Sequence, residues 1–297
     1  MTATPTGAVD LRGLTELDPV HLEELTARAS LQTRVDRKYL LPMPDVDWLV
    51  DDLHGTARVL QIGSLRTFGY ESVYFDTPDL TLYRLAAHRR PTRYKVRTRT
   101  YLDSGQCWLE VKTRDRRGRT VKQRLPYDGR DRTVLTADGA RFVRDAVATA
   151  GTTVATGDEI AALRPTLVTR YRRSTLLVPE DDSRLTIDTD LVCLDDGDRP
   201  LRLPARAVVE TKTTRHAGAV DRLLWRRGHR PVQVSKYGTG LAALHPELPA
   251  VKWRPVLRRH AFAAEQPSGA GVPFAAAEPA GAGDASRAVS RRERVSR

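Results

Sequence analysis

Arg93, Lys95, Arg97 and Arg99 stand at every second position of one short run. That spacing puts side chains on a single face of a β-strand. Tyr94, Val96, Thr98 and Thr100 take the opposite phase. Neighbouring cations on such a face sit about 7 Å apart and repel by about 2 kcal/mol at an effective dielectric of about 20. A row of this kind suits a surface that meets an anion. Charged edge strands that stop sheets sticking together are the plainer explanation, but the pattern recurs. Trp108, Glu110, Lys112 and Arg114 share a phase, as do Lys122 with Arg124 and Glu210 with Lys212. A sheet has few edges, so several strands with one charged and one apolar face imply a sheet curled around a charged interior. The chemistry that follows is that of a basic tunnel holding a polyanion.

Other sources of phosphate chemistry are absent. The sequence has no G-x-x-x-x-G-K-[ST] and no G-x-G-x-x-G, so no glycine loop cradles a phosphate at a helix N-terminus. The seven histidines are scattered without metal spacing, and no serine or threonine sits in the context of an activated nucleophile. What remains is an acid–base set on strand faces. Its cations are Lys38, Arg97, Arg99, Lys112, Lys122, Arg124, Arg173, Lys212 and Lys236, with Lys95 from the first run; its acids are Asp36, Glu110, Asp188 and Glu210. Mg²⁺ or Mn²⁺ with a triphosphate or polyphosphate would balance that excess of cations, because these ions take carboxylate and phosphate oxygens and need only one or two protein carboxylates.

The elements that must position these residues read as follows. A short amphipathic helix is expected over Leu14–Arg28, and a charged and apolar run over Leu31–Leu41, halted by Pro42 and Pro44. Asp45 is then placed to cap a helix reaching Leu53. Strand signals dominate Val59–Phe75, and a short helix follows over Asp79–Ala87. Tight turns at Asp103-Ser104-Gly105 and Arg116-Arg117-Gly118-Arg119 join the basic strand to Trp108–Arg114 and then Thr120–Pro126, an antiparallel meander. Thr136–Thr149 reads as a helix. Strands are predicted over Thr166–Val178, Arg184–Cys193 and Ala207–Thr213, a basic helix over Val220–Arg227, and a last extended piece over Pro231–Tyr237. The fold class is α+β: a closed antiparallel β-barrel tunnel of about eight strands with helices packed outside. Residues 1–30 form an N-terminal extension, 31–260 the tunnel domain, and 261–297 an Ala/Gly/Pro/Arg tail too poor in apolar residues to order itself.

Charge and composition set the class of partner. Net charge is +12, of which the last 37 residues, with five arginines against four acids, carry only +1. That excess predicts an acidic partner. Nucleic acid fits poorly, because the basic residues alternate with apolar ones on strands and no stacking platform or recognition helix is visible. No run of 18 apolar residues and no leader pattern occur, predicting a cytoplasmic protein that reaches a membrane only through a partner. Cys107 and Cys193 fall in the apolar phase of their strands and are expected to be reduced.

Taken together, several motifs resemble one known family. Arg34-Val-Asp-Arg-Lys-Tyr39, Lys95-Val-Arg-Thr-Arg99, Trp108-Leu-Glu-Val-Lys-Thr113 and Val121-Lys-Gln-Arg-Leu-Pro126 are similar to VTC domains. So are Tyr171-Arg-Arg173, Arg184-Leu-Thr-Ile-Asp188, Val209-Glu-Thr-Lys212 and Ser235-Lys-Tyr237. These are polyphosphate polymerase domains of the triphosphate tunnel metalloenzyme (CYTH-like) superfamily, and the resemblance spans about residues 30–245. It implies transfer of the γ-phosphoryl group of ATP to a growing inorganic polyphosphate chain, assisted by Mn²⁺ or Mg²⁺, and a membrane-protein partner. It also implies that Lys38, Arg97, Arg99, Lys112, Arg173 and Lys236 act on the transferring phosphate. Lys95, Lys122, Arg124, Lys212 and Arg34 would bind the chain, and Glu210 would hold the metal, with Glu110 and Asp188 as the other candidates. In one respect the chain departs from the superfamily: hydrolytic and cyclase members open with Glu-x-Glu-x-Lys, whereas Arg34 and Asp36 occupy the two Glu positions here. One carboxylate fewer and one cation more suit polymer binding better than two-metal hydrolysis. A tunnel triphosphatase and a non-catalytic sensor or scaffold for polyphosphate or inositol phosphate are the alternatives.

Overall fold

The computed structural model of the chain describes residues 11–29, 35–151, 157–197, 200–214, 216–260 and 262–264. Arg34, the first ten residues and the tail beyond 264 lie outside the described residues. In chain order the elements are β1 (Asp18–Val20), α1 (Leu22–Ala29), β2 (Val35–Pro42), α2 (Met43–Asp52), β3 (Arg58–Leu60) and β4 (Phe68–Asp76). Then come α3 (Thr81–Ala87), β5 (Arg93–Tyr101), β6 (Cys107–Arg114), β7 (Thr120–Tyr127), α4 (Ala137–Thr149) and α5 (Gly157–Ala161). The second half holds β8 (Arg164–Val178), β9 (Ser183–Leu194), β10 (Leu201–Arg202) and β11 (Arg206–Thr213). Helices α6 (Ala219–Arg226), α7 (Lys236–Leu244) and α8 (Arg254–Arg259) and strand β12 (Ala263–Ala264) close the described chain.

Eight long strands pair in the order β2-β11-β9-β8-β4-β5-β6-β7, every pair antiparallel. This is the α+β, mainly antiparallel architecture expected, with one correction. The sheet is not a hydrogen-bonded barrel: among the described residues β2 pairs only with β11 and β7 only with β6. Both edges present lysines to the same interior, Lys38 on β2 and Lys122 on β7, and charged edges resist pairing. The sheet still curls. Lys38 on the first strand is close enough to Lys95 and Lys112 on β5 and β6 for its charge to act on both.

Two local expectations also change. Leu14–Arg28 is not one helix, because Pro19 interrupts it; a 3₁₀ turn at Leu14–Glu16 and strand β1, parallel to β3, precede α1. Helix α2 begins at Met43 and carries Pro44 in its first turn, where a missing N–H costs nothing. At the other end, Phe262 packs on the core and Ala263–Ala264 pair with β10, so the packed chain runs past the boundary expected at residue 260.

The convex side carries two of the three apolar cores. Tyr94, Val96, Leu109 and Val111 meet Val143 and Val147 of α4, and Tyr39, Leu41 and Val209 meet Leu49 of α2 and Leu224 of α6. Each fully buried aliphatic side chain is worth about 1.5–3 kcal/mol. The opposite phase of the same strands carries the charge together with a third core, in which Leu40, Val208, Tyr70, Tyr74 and Tyr171 cluster with Tyr237 and Leu241 of α7.

Candidate functional site

Period two delivers the concave face. Cross-strand register sets Arg97 beside Glu110 and Glu110 beside Arg124, Lys95 beside Lys112 and Lys112 beside Lys122. On the facing wall Glu210 lies beside Lys38, Lys212 beside Asp36 and Arg184, and Arg173 beside Asp188. All the described candidates except Lys236 thus come from strands.

Lys236 reaches the same face by a different route. The extended piece expected over Pro231–Tyr237 ends in a helix, α7, whose first residue is Lys236. Ser235 caps it, its Oγ accepting from the Gly238 N–H at 3.2 Å while Thr239 Oγ1 accepts from the Ser235 N–H at 3.0 Å. Gly238 and Gly240 disfavour a helix by about 1 kcal/mol each, which hides it in the sequence. Their role is close approach: a Cβ on Gly238 would lie 2.1 Å from Trp253, and one on Gly240 2.7 Å from Cys193 Sγ. Tyr237 then stacks on Tyr74 at 5.1 Å and donates its hydroxyl to the buried Asp76. Asp76 also accepts from the backbone N–H groups of Thr77, Leu82 and Tyr83, so one carboxylate ties α3 and α7 to β4.

Behind β2 and β11 a second buried carboxylate plays the same part. Asp221 of α6 accepts from Tyr39 at 2.7 Å, Thr211 at 2.6 Å and Arg37 at 3.1 Å. These are the convex-phase neighbours of Lys38, Glu210 and Lys212.

The four acids are spent on cations. Glu110, only 3% exposed, takes Arg97 at 2.7 Å, Lys122, and Arg99 at 3.9 Å. Asp188, 1% exposed, takes the Arg173 fork at 2.5 and 2.8 Å together with Lys236. Burial opposes both charges, but Arg97 and Arg173 respectively, with their neighbouring cations, hold the two carboxyls well below the usual range. Glu210 meets Lys212 at 2.7 Å and Lys38 at 3.8 Å and is likewise held low against burial, chiefly by Lys38 and Lys212. Asp36 acts on Lys112 and Lys212 from the same wall.

The lysines tell the reverse story. Burial, then the charges of Lys38 and Lys112, pushes the Lys95 ammonium far down. Its one hydrogen bond goes to Ser235 Oγ at 2.9 Å. Burial and Lys38 lower Lys112 as well. Lys212 falls to about 8, burial outweighing its partner Glu210. The protein therefore holds cations it would rather discharge, and an anion placed among them relieves that cost.

Sequence reasoning missed an aromatic layer. Tyr70 lies between the guanidinium groups of Arg99 at 5.6 Å and Arg173 at 5.2 Å and stacks on Tyr171. Lys236 Nζ sits 4.3 Å from the Tyr171 ring centre, and Tyr74 accepts from Arg97 at 3.0 Å. Phe68, Tyr70, Ser72 and Tyr74 alternate along β4, a period-two signal that could have been read. Arg124 points its guanidinium over Trp108 at 4.5 Å and stays exposed at the edge strand.

With this geometry in hand, the comparison with known families decides the assignment. The VTC domain profile matches residues 33–245. The chain belongs to the VTC domain family. No curated protein matches the sequence. Among solved structures, one from Hippeastrum, described as an adenylyl cyclase with a dominant triphosphatase activity, matches at 19% identity and a TM-score of 0.47. It covers 71% of this chain and 96% of its own. The PH1819 protein of Pyrococcus horikoshii matches at 10% identity and a TM-score of 0.41, over 72% and 99% of the two chains. A Vibrio parahaemolyticus protein named for adenylate cyclase matches at 14% and 0.35, over 66% and 84%.

The described VTC fold contains no helix long and apolar enough to cross a membrane. Among its described residues no three His, Cys, Asp or Glu gather as a metal cluster. Glu110 and Asp188 are engaged by guanidinium groups, whereas the partners of Glu210 are two lysines, Lys212 and Lys38. A one-carboxylate site completed by substrate phosphate fits Glu210; a three-carboxylate cage does not fit.

Proposed function

We propose that this VTC domain transfers the terminal phosphoryl group of a nucleoside triphosphate, ATP, onto an inorganic polyphosphate chain held on its concave face. The observation that carries this reading is the excess of cations gathered on that face, where Lys95, Lys112 and Lys212 are lowered by desolvation beside guanidinium groups already fixed by carboxylates. Arg97, Arg99 and Arg173 are preorganised forks for phosphate oxygens, held by Glu110, Asp188 and Tyr70. Lys38, Lys112 and Lys236 add compact charge.

In the reaction a terminal oxygen of the chain attacks the γ-phosphorus. The bond from that phosphorus to the β–γ bridging oxygen breaks, and the nucleoside diphosphate leaves with the electron pair. The attacking oxygen is already anionic, so no general base is needed. The work is alignment of two polyanions and neutralisation of the charge on the transferring group. Each donor aimed at that charge is worth about 3 kcal/mol, a factor near 10². Glu210, with substrate phosphates, would hold Mn²⁺ or Mg²⁺, which would supply neutralisation of the phosphate charge.

Incubation of the purified chain with ATP and Mn²⁺, with products resolved by gel, tests the reading. A ladder of lengthening polyphosphate is expected. Release of inorganic phosphate without chains would favour the triphosphatase alternative, and tight chain binding without turnover the scaffold.

A further inference from the structure

Beyond the candidate residues, β5 and β6 run on for one more rung. Arg93 lies directly opposite Arg114, next to the Lys95–Lys112 rung on the same face. Like charges set opposite each other weaken an antiparallel pair, and two successive rungs do so here. Lys252, between α7 and α8, joins the two: it acts on Lys95, and it feels Arg93, Arg89, Arg114 and Lys38. Burial first, then those four charges, lowers its ammonium to about 8. Arg93 is half-buried, its charge disfavoured by desolvation and by Arg114. Among the described residues no carboxylate pairs with Arg89, Arg93, Arg114 or Lys252. Arg93 reaches only the Arg90 carbonyl, at 2.5 Å. The other end of the same strands is different, because there Glu110 pairs with Arg97 and Lys122.

We propose that Arg93, Arg114, Lys252 and Arg89 form a second anion site at the end of the concave face, which holds the segment of a long phosphate chain emerging past Lys95 and Lys112. The proposal rests on the reading that the concave face takes phosphate chains. It adds a direction to that reading, since the chain leaves by the end that has no carboxylates. It also adds a length preference, because a short chain held among Arg97, Arg99 and Arg173 does not extend to the outer rung.

Binding of inorganic tripolyphosphate and of long-chain inorganic polyphosphate to the full chain tests this, with wild type beside Arg93→Gln/Arg114→Gln and Lys252→Gln. Long-chain affinity should fall about ten-fold in the double variant and its salt dependence should flatten, while tripolyphosphate affinity stays within two-fold. Removing facing like charges should leave the melting temperature unchanged or higher; a fall would shift the decision to Lys252→Gln. Equal loss for both probes, or no loss for either, overturns the outer site. If wild type binds tripolyphosphate but gains nothing from length, the outer site fails and the concave-face reading stands. If wild type binds neither probe, both fail.

Discussion

At one end of the concave face Asp188 holds Arg173 and Lys236, and Glu110 holds Arg97 and Lys122. At the other end Lys95 faces Lys112 and Arg93 faces Arg114, and the acids that act on Lys112, Asp36 and Glu210, stand in register with other lysines on β2 and β11. Strands β5 and β6 run through both, and both are rich in Lys and Arg. The difference teaches that counting cations does not locate a binding surface. Where a carboxylate is buried beside a guanidinium, the pair is part of the structure and orients its cation. Where none is present, the cations are stored at a cost and are available to an anion. The first end is built to aim, the second to hold.

The sharpest way to break this contrast is at Asp188. Asp188→Asn leaves Arg173 and Lys236 unpaired in a dry site and should destabilise the fold by about 3–5 kcal/mol, read as an earlier urea midpoint. If the midpoint does not move, the pair is not structural and the two ends are alike.

Glu210→Gln comes next. ATP-dependent chain synthesis should fall about 10²-fold, while metal-free affinity for polyphosphate holds or rises, because a repulsive carboxylate has gone. Intact synthesis would show that Glu210 holds no metal.

Lys112→Met probes the other end. It should weaken chain binding about ten-fold and leave the stability without ligand unchanged or slightly higher, because Lys112 is exposed and solvent screens its charge. A destabilised variant with unchanged affinity would contradict the stored-charge account.

The smallest effect is on pH dependence. Lys212 and Lys252 have folded values near 8 against about 10.5 unfolded. Between those values the unfolded chain binds more protons, so stability rises with pH. It is fully present above about 10.5 and is lost as pH falls through about 8. The melting temperature without ligand should therefore climb by a few degrees from pH 8 to 9, below the range where buried tyrosines such as Tyr70 and Tyr83, pushed up to about 12, oppose the climb, and saturating polyphosphate should flatten it. A flat profile without ligand would sink the idea.

By itself the sequence determined which side chains share a face. Alternation in Arg93–Arg99, Trp108–Arg114 and Glu210–Lys212 is local, and a strand's period of two holds whatever its neighbours do. It therefore carried the antiparallel sheet, the charged interior and the family resemblance. Only the tertiary structure decided the rest, because it depends on which strands meet across the interior. Register and curl chose Glu110 for Arg97 and Asp188 for Arg173, and left Lys95 with a serine. The open seam between β2 and β7 follows from where two lysine-bearing edges end up, which no single strand encodes. Helix α7 was hidden because Gly238 and Gly240 lower its helix propensity. The reason they are glycines is Trp253 and Cys193, neighbours in space and not in sequence.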